Sequence, residues 1–430
     1  MQKDITNNKT IAVIGLGYVG LPLALLTERR GYKVIGIDVN AKKVGLLNRR
    51  LAPFADQAIA KQLKNSSLEA TTNFSRIKAA SVIIICVPTP IHENNMPNLR
   101  PVKNACRSAG KFLSKGQLVV LESTVNPGVC ESIVLPILEK KSGLKCGKDF
   151  YLAHCPERIN PGDKKWDIGN INRVVGGFDK TGLQKAVKFY KSIISAKIKP
   201  MVSLKEAEAV KIVENTFRDI NIAFVNELAM SFSRLDIDVV NVIKGAATKP
   251  FGFMPFYPGT GVGGHCIPVD PYYLINYAEK KGFHHDFLLL ARRINNGMPK
   301  FAVMLAVKGL NEAEIAVKGA KVAVLGLAYK PEINDCRESP SFEIIKHLEK
   351  YGANVFSFDP FILDKSSVKT LDEAVKNADA VILATCHKVF KKLAPDYFVK
   401  NRVKVIVDGR NCLSKEEFIK AGIVYKGIGR

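Results

Sequence analysis

The stretch Gly-Val-Gly-Gly-His-Cys-Ile-Pro at 261–268 sets Cys266 behind three glycines and one residue short of a proline. Glycine lets a main chain approach a ligand closely, and proline stiffens the backbone after the cysteine. That suits a presented nucleophile, although a buried thiol beside a tight turn has the same residues. Downstream, Asp270 and Pro271 suit an N-cap and a first helical position. A thiol just ahead of a helix start, with a lysine near, has a positive dipole end to lower its pKa. That help matters, because a free thiol is only a few per cent ionised at neutral pH.

A second candidate set lies in KIVENTFRDINIAF, where Lys211, Asn215 and Arg218 stand at i, i+4 and i+7 and share one helical face. The plain alternative is a solvated polar stripe. The neighbouring positions are mostly apolar, so the helix reads as buried on several sides, and a buried lysine and asparagine need partners such as an anionic or oxygen-rich substrate. The third set is GLGYVG, which gives Gly15, Gly17 and Gly20 in G-x-G-x-x-G spacing after a strand and before a helix. The first glycine turns the chain, the second admits a pyrophosphate, and the third packs helix on strand. Asp38 ends the next strand, where its carboxylate would accept from a ribose diol and repel a 2′-phosphate. NAD is therefore expected over NADP, with Lys42 and Lys43 nearby keeping NADP open. Pro88-Thr89-Pro90, Glu122-Ser123-Thr124 and Pro156-Glu157-Arg158 fall at further strand ends. Each alone could be a turn or cap, but together they read as one cleft at the carboxyl ends of a sheet.

The elements that must carry these residues alternate. TIAVIGLG (10–17), VIGID (34–38), SVIIICV (81–87), LVVLES (118–123) and YLAHC (151–155) are short apolar runs separated by helix-length segments, the pattern of βα units around a parallel sheet. From Ser203 to about Gly245 the pattern turns helical, with Val210, Val213, Phe217 and Phe224 on what reads as a packed face. A loop rich in glycine, proline and aromatics (249–264) precedes another helical stretch. A second α/β segment then opens at KVAVLGLAYK and continues through NVFSFDP, AVILATC and VKVIVDG. The two strand-first segments are too dissimilar to count as a repeat. The expected fold is α/β: two Rossmann-like, doubly wound parallel-sheet domains joined by a helical middle, with boundaries at 1–202, 203–312 and 313–430.

Composition removes several alternatives. The chain has 430 residues, 47% hydrophobic and 24% charged, enough for two or three domains. Its start, MQKDITNNKT, lacks a signal-peptide pattern, and its longest apolar runs are strand-sized, so a cytoplasmic protein without a membrane span is expected. Nine cysteines without a C-x-x-C pair argue against a disulfide framework or zinc site, and seven histidines show no H-x-x-x-H spacing, so no metal is expected. The formal net charge of +24 is spread along the chain rather than gathered into a tail. It describes a lysine-rich solvated surface that also favours encounter with polyanionic small molecules.

GLGYVGLPLA, CVPTP, ESTVNPG, PERINPG, the Lys-x-x-x-Asn helix, GGHCIPVDPYYL and GLAYKP…RESPS run in this order nearly end to end, and in this the chain resembles the UDP-glucose/GDP-mannose dehydrogenase family. ATKPFGFMPFYPG and HCIPVDPYYL look like that family's UDP-N-acetylglucosamine 6-dehydrogenase branch. The resemblance implies four-electron oxidation of a sugar C6 alcohol to a carboxylate, with two NAD reduced in turn and a uronate made for surface polysaccharide. Cys266 would be the nucleophile, Lys211 would stabilise oxyanions or shuttle protons, and Asn215 would position the oxygen. Thr124, Glu157 and Asp270 would hold water or act as base. Gly15, Gly17, Tyr18, Val19, Gly20, Asp38, Lys43, Pro88, Thr89, Thr124 and Arg337 would meet the cofactor. Glu157, Arg158, Ile159, Lys211, Asn215, Arg218, Lys249, Phe251, Phe253, Tyr257, Gly259, Gly263 and Lys330 would meet the UDP-sugar. It also implies a homodimer with helices at its core, the 249–258 loop crossing to the neighbouring subunit, and UDP bound by the last domain. Cys336 and Cys386 depart from the family pattern and read as small buried thiols.

Two rivals remain. A two-electron hydroxyacid or 6-phosphogluconate-type dehydrogenase shares the glycine motif and a helix-borne lysine but needs no cysteine; it makes one NADH per substrate where the family makes two. A nucleic-acid-binding protein predicts clustered charge, and the dispersed lysines count against it. The configuration at the sugar C2, gluco or manno, is open.

Overall fold

A computed structural model describes residues 9–54, 56–92, 96–159 and 165–430; the first eight residues and part of the PERINPG motif, from Asn160 onward, lie outside them. Two compact units divide the chain, one made of 1–214 and 272–283, the other of 215–271 and 284–430.

The first unit holds β1 (Thr10–Ile14), β2 (Lys33–Ile37), β3 (Glu69–Thr71), β4 (Ala80–Ile85), β5 (Leu118–Leu121), β6 (Tyr151–His154), β7 (Arg173–Gly177) and β8 (Ile198–Pro200). They form one sheet in the order β3-β2-β1-β4-β5-β6-β7-β8. Pairing is parallel except between β6 and β7, which run antiparallel, so the expected parallel sheet carries a reversed extension. The continuous apolar runs follow from burial on both faces. Along β1, Ile11 and Val13 enter one core while Ala12 and Ile14 enter the other, and in β4 Ile84 opposes Ile83 and Ile85 in the same way. Each such isoleucine, fully buried, contributes about 2 kcal/mol.

The second unit holds β9 (Lys321–Leu325), β10 (Asn354–Phe358), β11 (Ala380–Leu383), β12 (Val405–Asp408) and β13 (Val424–Gly427), all parallel, in the order β10-β9-β11-β12-β13. Val322 and Val324 pack with Val225, Ala229, Met298 and Ala302 of the helices Leu204–Phe232 and Asp286–Glu312. Ala323 and Leu325 face the opposite core.

The two sheets share a turn. Gly15 and Gly326 end β1 and β9 with φ of 93° and 94°, and their N–H groups donate to Ile37 O at 2.7 Å and Phe358 O at 2.9 Å. Asp38 and Asp359 then accept from Leu16 N and Leu327 N. What differs is the next element: a helix starts at Gly20 in the first unit, whereas in the second none starts before Pro340. Asp359 is moreover bound by the buried His387, 2.9 Å away. The second turn thus lacks the helix N-terminus that suits a pyrophosphate.

Two expectations change. Val213, Phe217 and Phe224 are 56%, 48% and 52% exposed, so the face of the 204–232 helix that reads as packed is open on a single chain. Apolar spacing tells which residues share a face, not what covers it. Cys386, expected as a lone buried thiol, is paired with Cys412 as a disulfide, their Cα atoms 6.8 Å apart. The carboxyl ends of adjacent strands β11 and β12 bring these distant positions together, which no local motif signals.

Candidate active site

The glycine turn after β1 shows why each glycine is there. A Cβ on Gly15 would lie 2.6 Å from Cys86 O, and one on Gly20 would lie 1.9 Å from Gly15 O, whereas Gly17 has nothing within 4 Å. The first and third glycines are required by packing, and the second leaves an open approach to the start of the helix Gly20–Arg29. Val19 is the N-cap of that helix, and Tyr18, 45% exposed, lies against Phe54 with centroids 4.2 Å apart and the rings tilted by 31°. Asp38 takes Leu16 N at 2.9 Å, Asn40 N at 3.0 Å and Lys43 Nζ at 2.7 Å. Burial pushes its pKa up, but Lys43 and the two backbone donors outweigh that and hold it below the usual range. A fixed carboxylate at a strand end beside an open glycine turn fits an adenosine ribose and its pyrophosphate. Lys43 is already engaged by Asp38, which leaves less of its charge for a 2′-phosphate.

The other strand-end elements of this unit are held in different ways. The loop at Pro88 and Thr89 is tied by Tyr273, whose hydroxyl donates to Thr89 O at 2.7 Å. Ser123 Oγ donates to Val87 O at 2.7 Å, and Thr124 beside it is half-buried. Glu157 is buried, and one of its oxygens accepts from Ile159 N. Its other oxygen stands 3.1 Å from the guanidinium of Arg173, which also lies 3.5 Å from Glu122; both are ion-pair separations without hydrogen-bond alignment. Tyr190 donates to Glu122 at 2.5 Å. Burial raises the Glu122 pKa to about 7, with Arg173 opposing and Glu157 adding to the shift. Arg173 and Tyr190 carry no signal in the sequence, since one opens a strand and the other lies inside a helix, with no motif around either. Arg158, expected at the sugar nucleotide, is ion-paired to Glu214 and donates to Asn172 O at 2.8 Å. Lys211 is buried on the 204–232 helix, one turn before Asn215.

In the second unit the cysteine turn is wedged in place. A Cβ on Gly263 would lie 2.7 Å from Glu338 O and from Tyr329 Cβ, and one on Gly264, whose φ is 90°, would lie 2.8 Å from the Tyr329 ring. Gly264 N donates to Arg337 O at 2.9 Å. Cys266 is half-buried, and its carbonyl accepts from Val269 N at 3.0 Å and Asp270 N at 2.8 Å as the helix Asp270–Glu279 begins. The Asp270 carboxylate takes the amide of Asn215 at 2.5 Å. Asp270 thus stands at the start of the helix with its side chain accepting from Asn215. Burial pushes the thiols of Cys86, Cys130 and Cys155 up, Cys106 and Cys146 to about 12, and Cys336 up as well. None of those six is a ready nucleophile near neutral pH.

The loop before the turn is open at its tip: Phe251 is 69% and Tyr257 52% exposed, Phe253 is half-buried, and Lys249 Nζ lies 4.7 Å from the Phe251 ring centre. Arg218 is exposed. Gly259 at the loop's end is buried. Arg337, expected at a cofactor, donates to both oxygens of Asp335, at 2.9 Å from Nε and 2.6 Å from its terminal nitrogen. Lys330 is half-buried in the segment after β9. Among the described residues no cluster of histidine, cysteine, aspartate and glutamate could hold a metal, and no helix is long and apolar enough to cross a membrane.

Comparison with known proteins agrees along the whole chain. Residues 9–194 match the NAD binding domain of the UDP-glucose/GDP-mannose dehydrogenase family, 205–297 its central domain and 323–415 its UDP binding domain. Protein CapL of Staphylococcus aureus is 41% identical over 95% of this chain and 97% of its own length. The UDP-N-acetyl-D-glucosamine 6-dehydrogenase of Pseudomonas aeruginosa is 40% identical over 90% of this chain and 92% of its own. The solved UDP-D-ManNAc dehydrogenase of Pyrococcus horikoshii superposes with a TM-score of 0.92 at 36% identity, covering 98% of this chain and 99% of its own. An open glycine turn with its strand-end aspartate, a wedged cysteine turn and this continuous match have one account: the chain belongs to the UDP-glucose/GDP-mannose dehydrogenase family and is an NAD-dependent oxidoreductase.

Proposed function

We propose that the protein oxidises the C6 hydroxyl of a UDP-N-acetylhexosamine, UDP-N-acetylglucosamine by preference, to the uronate. The observation that carries this reading is Cys266 on its glycine turn, four residues before the aspartate that holds Asn215. Relatives named for gluco and for manno substrates both align along nearly the whole chain. The domain assignment we infer is 1–202 for the cofactor, 203–312 for dimerisation and catalysis, and 313–430 for UDP.

NAD, held by the Gly15–Gly20 turn and Asp38, supplies a hydride acceptor for each of the two oxidations. Between them the Cys266 thiol adds to the C6 aldehyde: a C–S bond forms, the carbonyl π bond breaks, and the oxygen takes a proton. The aldehyde is a poor hydride donor, whereas this thiohemiacetal releases the C6 hydride with help from its oxygen; losing that hydride and the hydroxyl proton leaves a thioester. Water then adds, the C–S bond breaks, and a carboxylate and the free thiol result. Lys211 is the group for the oxyanion at each addition, and Asn215, its amide fixed by Asp270, orients the reacting oxygen. Thr124 and Glu157 hold the hydrolytic water, with Asp270 as base. The product keeps its UDP leaving group, which suits glycosyl transfer into a polysaccharide.

The test counts NADH over a panel of UDP- and GDP-sugars with the wild type and Cys266→Ser. Two NADH per UDP-N-acetylhexosamine is expected, with turnover lost in the variant because a serine hydroxyl is far less ionised than a thiol. One NADH per substrate would transfer the assignment to the hydroxyacid class, and a serine variant at near wild-type rate would remove the covalent step.

A further inference from the structure

We propose that Asn226 is the positioning residue for the 249–264 segment, held in its required orientation by a buried relay through Asn295 to Asp219 and Arg292. None of these four takes part in the oxidation chemistry itself; the functional half of the proposal rests on the UDP-sugar reading, because the segment carries the sugar-nucleotide residues.

Asn226, Asn295, Asp219 and Arg292 are 0%, 1%, 1% and 3% exposed. Asp219 and Asn226 lie on the helix Leu204–Phe232, Arg292 and Asn295 on the helix Asp286–Glu312. Asn226 Oδ1 accepts from Gly259 N at 3.0 Å, and its Nδ2 donates to Asn295 Oδ1 at 2.9 Å. Asn295 Nδ2 donates to Asp219 Oδ1 at 2.8 Å and to Asp219 O at 3.0 Å, while Arg292 donates to the same Oδ1 at 2.6 Å.

The direction of this chain is set by groups that have one role only. A carboxylate and a carbonyl can only accept, so Asn295 must turn its NH2 toward Asp219. Its oxygen then faces Asn226, which must answer with its own NH2, and that leaves the Asn226 oxygen for the Gly259 N–H. No amide in the series can flip without setting two acceptors against each other and leaving buried polar groups uncompensated.

The anchored stretch has little freedom elsewhere. A Cβ on Gly259 would lie 2.5 Å from the Arg410 guanidinium, and one on Gly261 would lie 3.2 Å from Asn295 O. Thr260 is fully buried, its hydroxyl 3.4 Å from Ala384 O. Beyond this fixed end the chain is exposed at Phe251 and Tyr257. Where Gly259 leaves the core therefore sets where Lys249, Phe251 and Tyr257 stand.

The experiment compares wild type with Asn226→Leu by amide hydrogen exchange and by steady-state kinetics. The expected result is exchange about tenfold faster in the peptide spanning 259–264, KM for the UDP-sugar raised about tenfold, and KM for NAD within twofold. If the leucine variant does not fold, Asn226→Asp reads the same anchor. It keeps the acceptor for Gly259 but, when ionised, sets a second acceptor against Asn295 Oδ1, with Asp219 and Arg292 the charged groups along the relay. Relative to wild type at each pH, it is expected to show fast exchange and a high sugar KM at pH 8. Both should return toward wild type at pH 5.5, where a protonated carboxyl donates as the amide did. Unchanged exchange over 259–264 in a folded variant, or equal rises in the two KM values, overturns the proposal. A wild type that oxidises no UDP-sugar removes the function, while the exchange result still decides the anchor.

Discussion

At the scale of single residues, buried ionisable groups decide more than the exposed ones. Arg173 stands between Glu122 and Glu157 with its side chain fully buried, so one cation serves two carboxylates. Two carboxylates that share one cation cannot both be fully compensated, and burial favours the protonated form of Glu122. Burial raises Glu122 from 4.5 to about 7. Between those values the folded chain keeps a proton that the unfolded chain has released, so this group makes stability fall as pH rises through the window. Glu122→Gln cannot titrate. Urea denaturation at pH 5 and pH 7.5 is therefore expected to show the wild type losing about 1–3 kcal/mol more than the variant over that rise. Equal losses would mean that Glu122 is ionised throughout.

At the scale of elements, the glycine turn after β1 separates packing from binding within six residues. A side chain on Gly20 would meet the Gly15 carbonyl, which is backbone and cannot swing aside, while one on Gly17 would meet open space. Gly20→Ala is expected to lower Tm by several degrees or prevent folding. Gly17→Ala should leave Tm within about a degree and raise KM for NAD at least tenfold, because its methyl occupies the approach to the helix start. Thermal melts and NAD kinetics on the pair check this. If Gly17→Ala binds NAD normally, the turn is a packing device alone. The spacing of the three glycines was legible in the sequence, as was the strand on either side. The twin turn at Gly326 was legible only in part: AVLGLAY at 323–329 matches AVIGLGY at 12–18 in five of seven residues, but the shared φ and hydrogen bonds appear only in the structure.

At the scale of the whole molecule, the open face of the 204–232 helix asks for cover. Val213, Phe217 and Phe224 are large apolar side chains about half exposed, and a run of that kind on one helix marks an association surface. The resemblance implies a homodimer, and a second copy of this face is the cover we propose. Phe217→Asp with Phe224→Asp is expected to halve the mass measured by light scattering while far-ultraviolet circular dichroism is kept. A double variant that keeps the wild-type mass would place the subunit contact elsewhere.

The sequence by itself determined whatever depends on neighbours along the chain. Apolar runs marked β1, β2, β4, β5, β6 and β9 to β12 but not the short or edge strands β3, β7, β8 and β13, helical spacing placed Lys211 and Asn215 on one face, and glycine spacing marked the turns at 15–20 and 261–264. Only the tertiary structure decided the rest. It set Asn215 against Asp270, Arg173 between two glutamates, Cys386 beside Cys412, and Gly259 under the Asn226 amide. It also turned β7 antiparallel to β6 and left Phe224 in the open. The physical reason is range. Propensity, periodicity and turn chemistry act over a few residues, while a hydrogen bond, an ion pair or a covered face joins residues whose separation along the chain carries no trace of the contact.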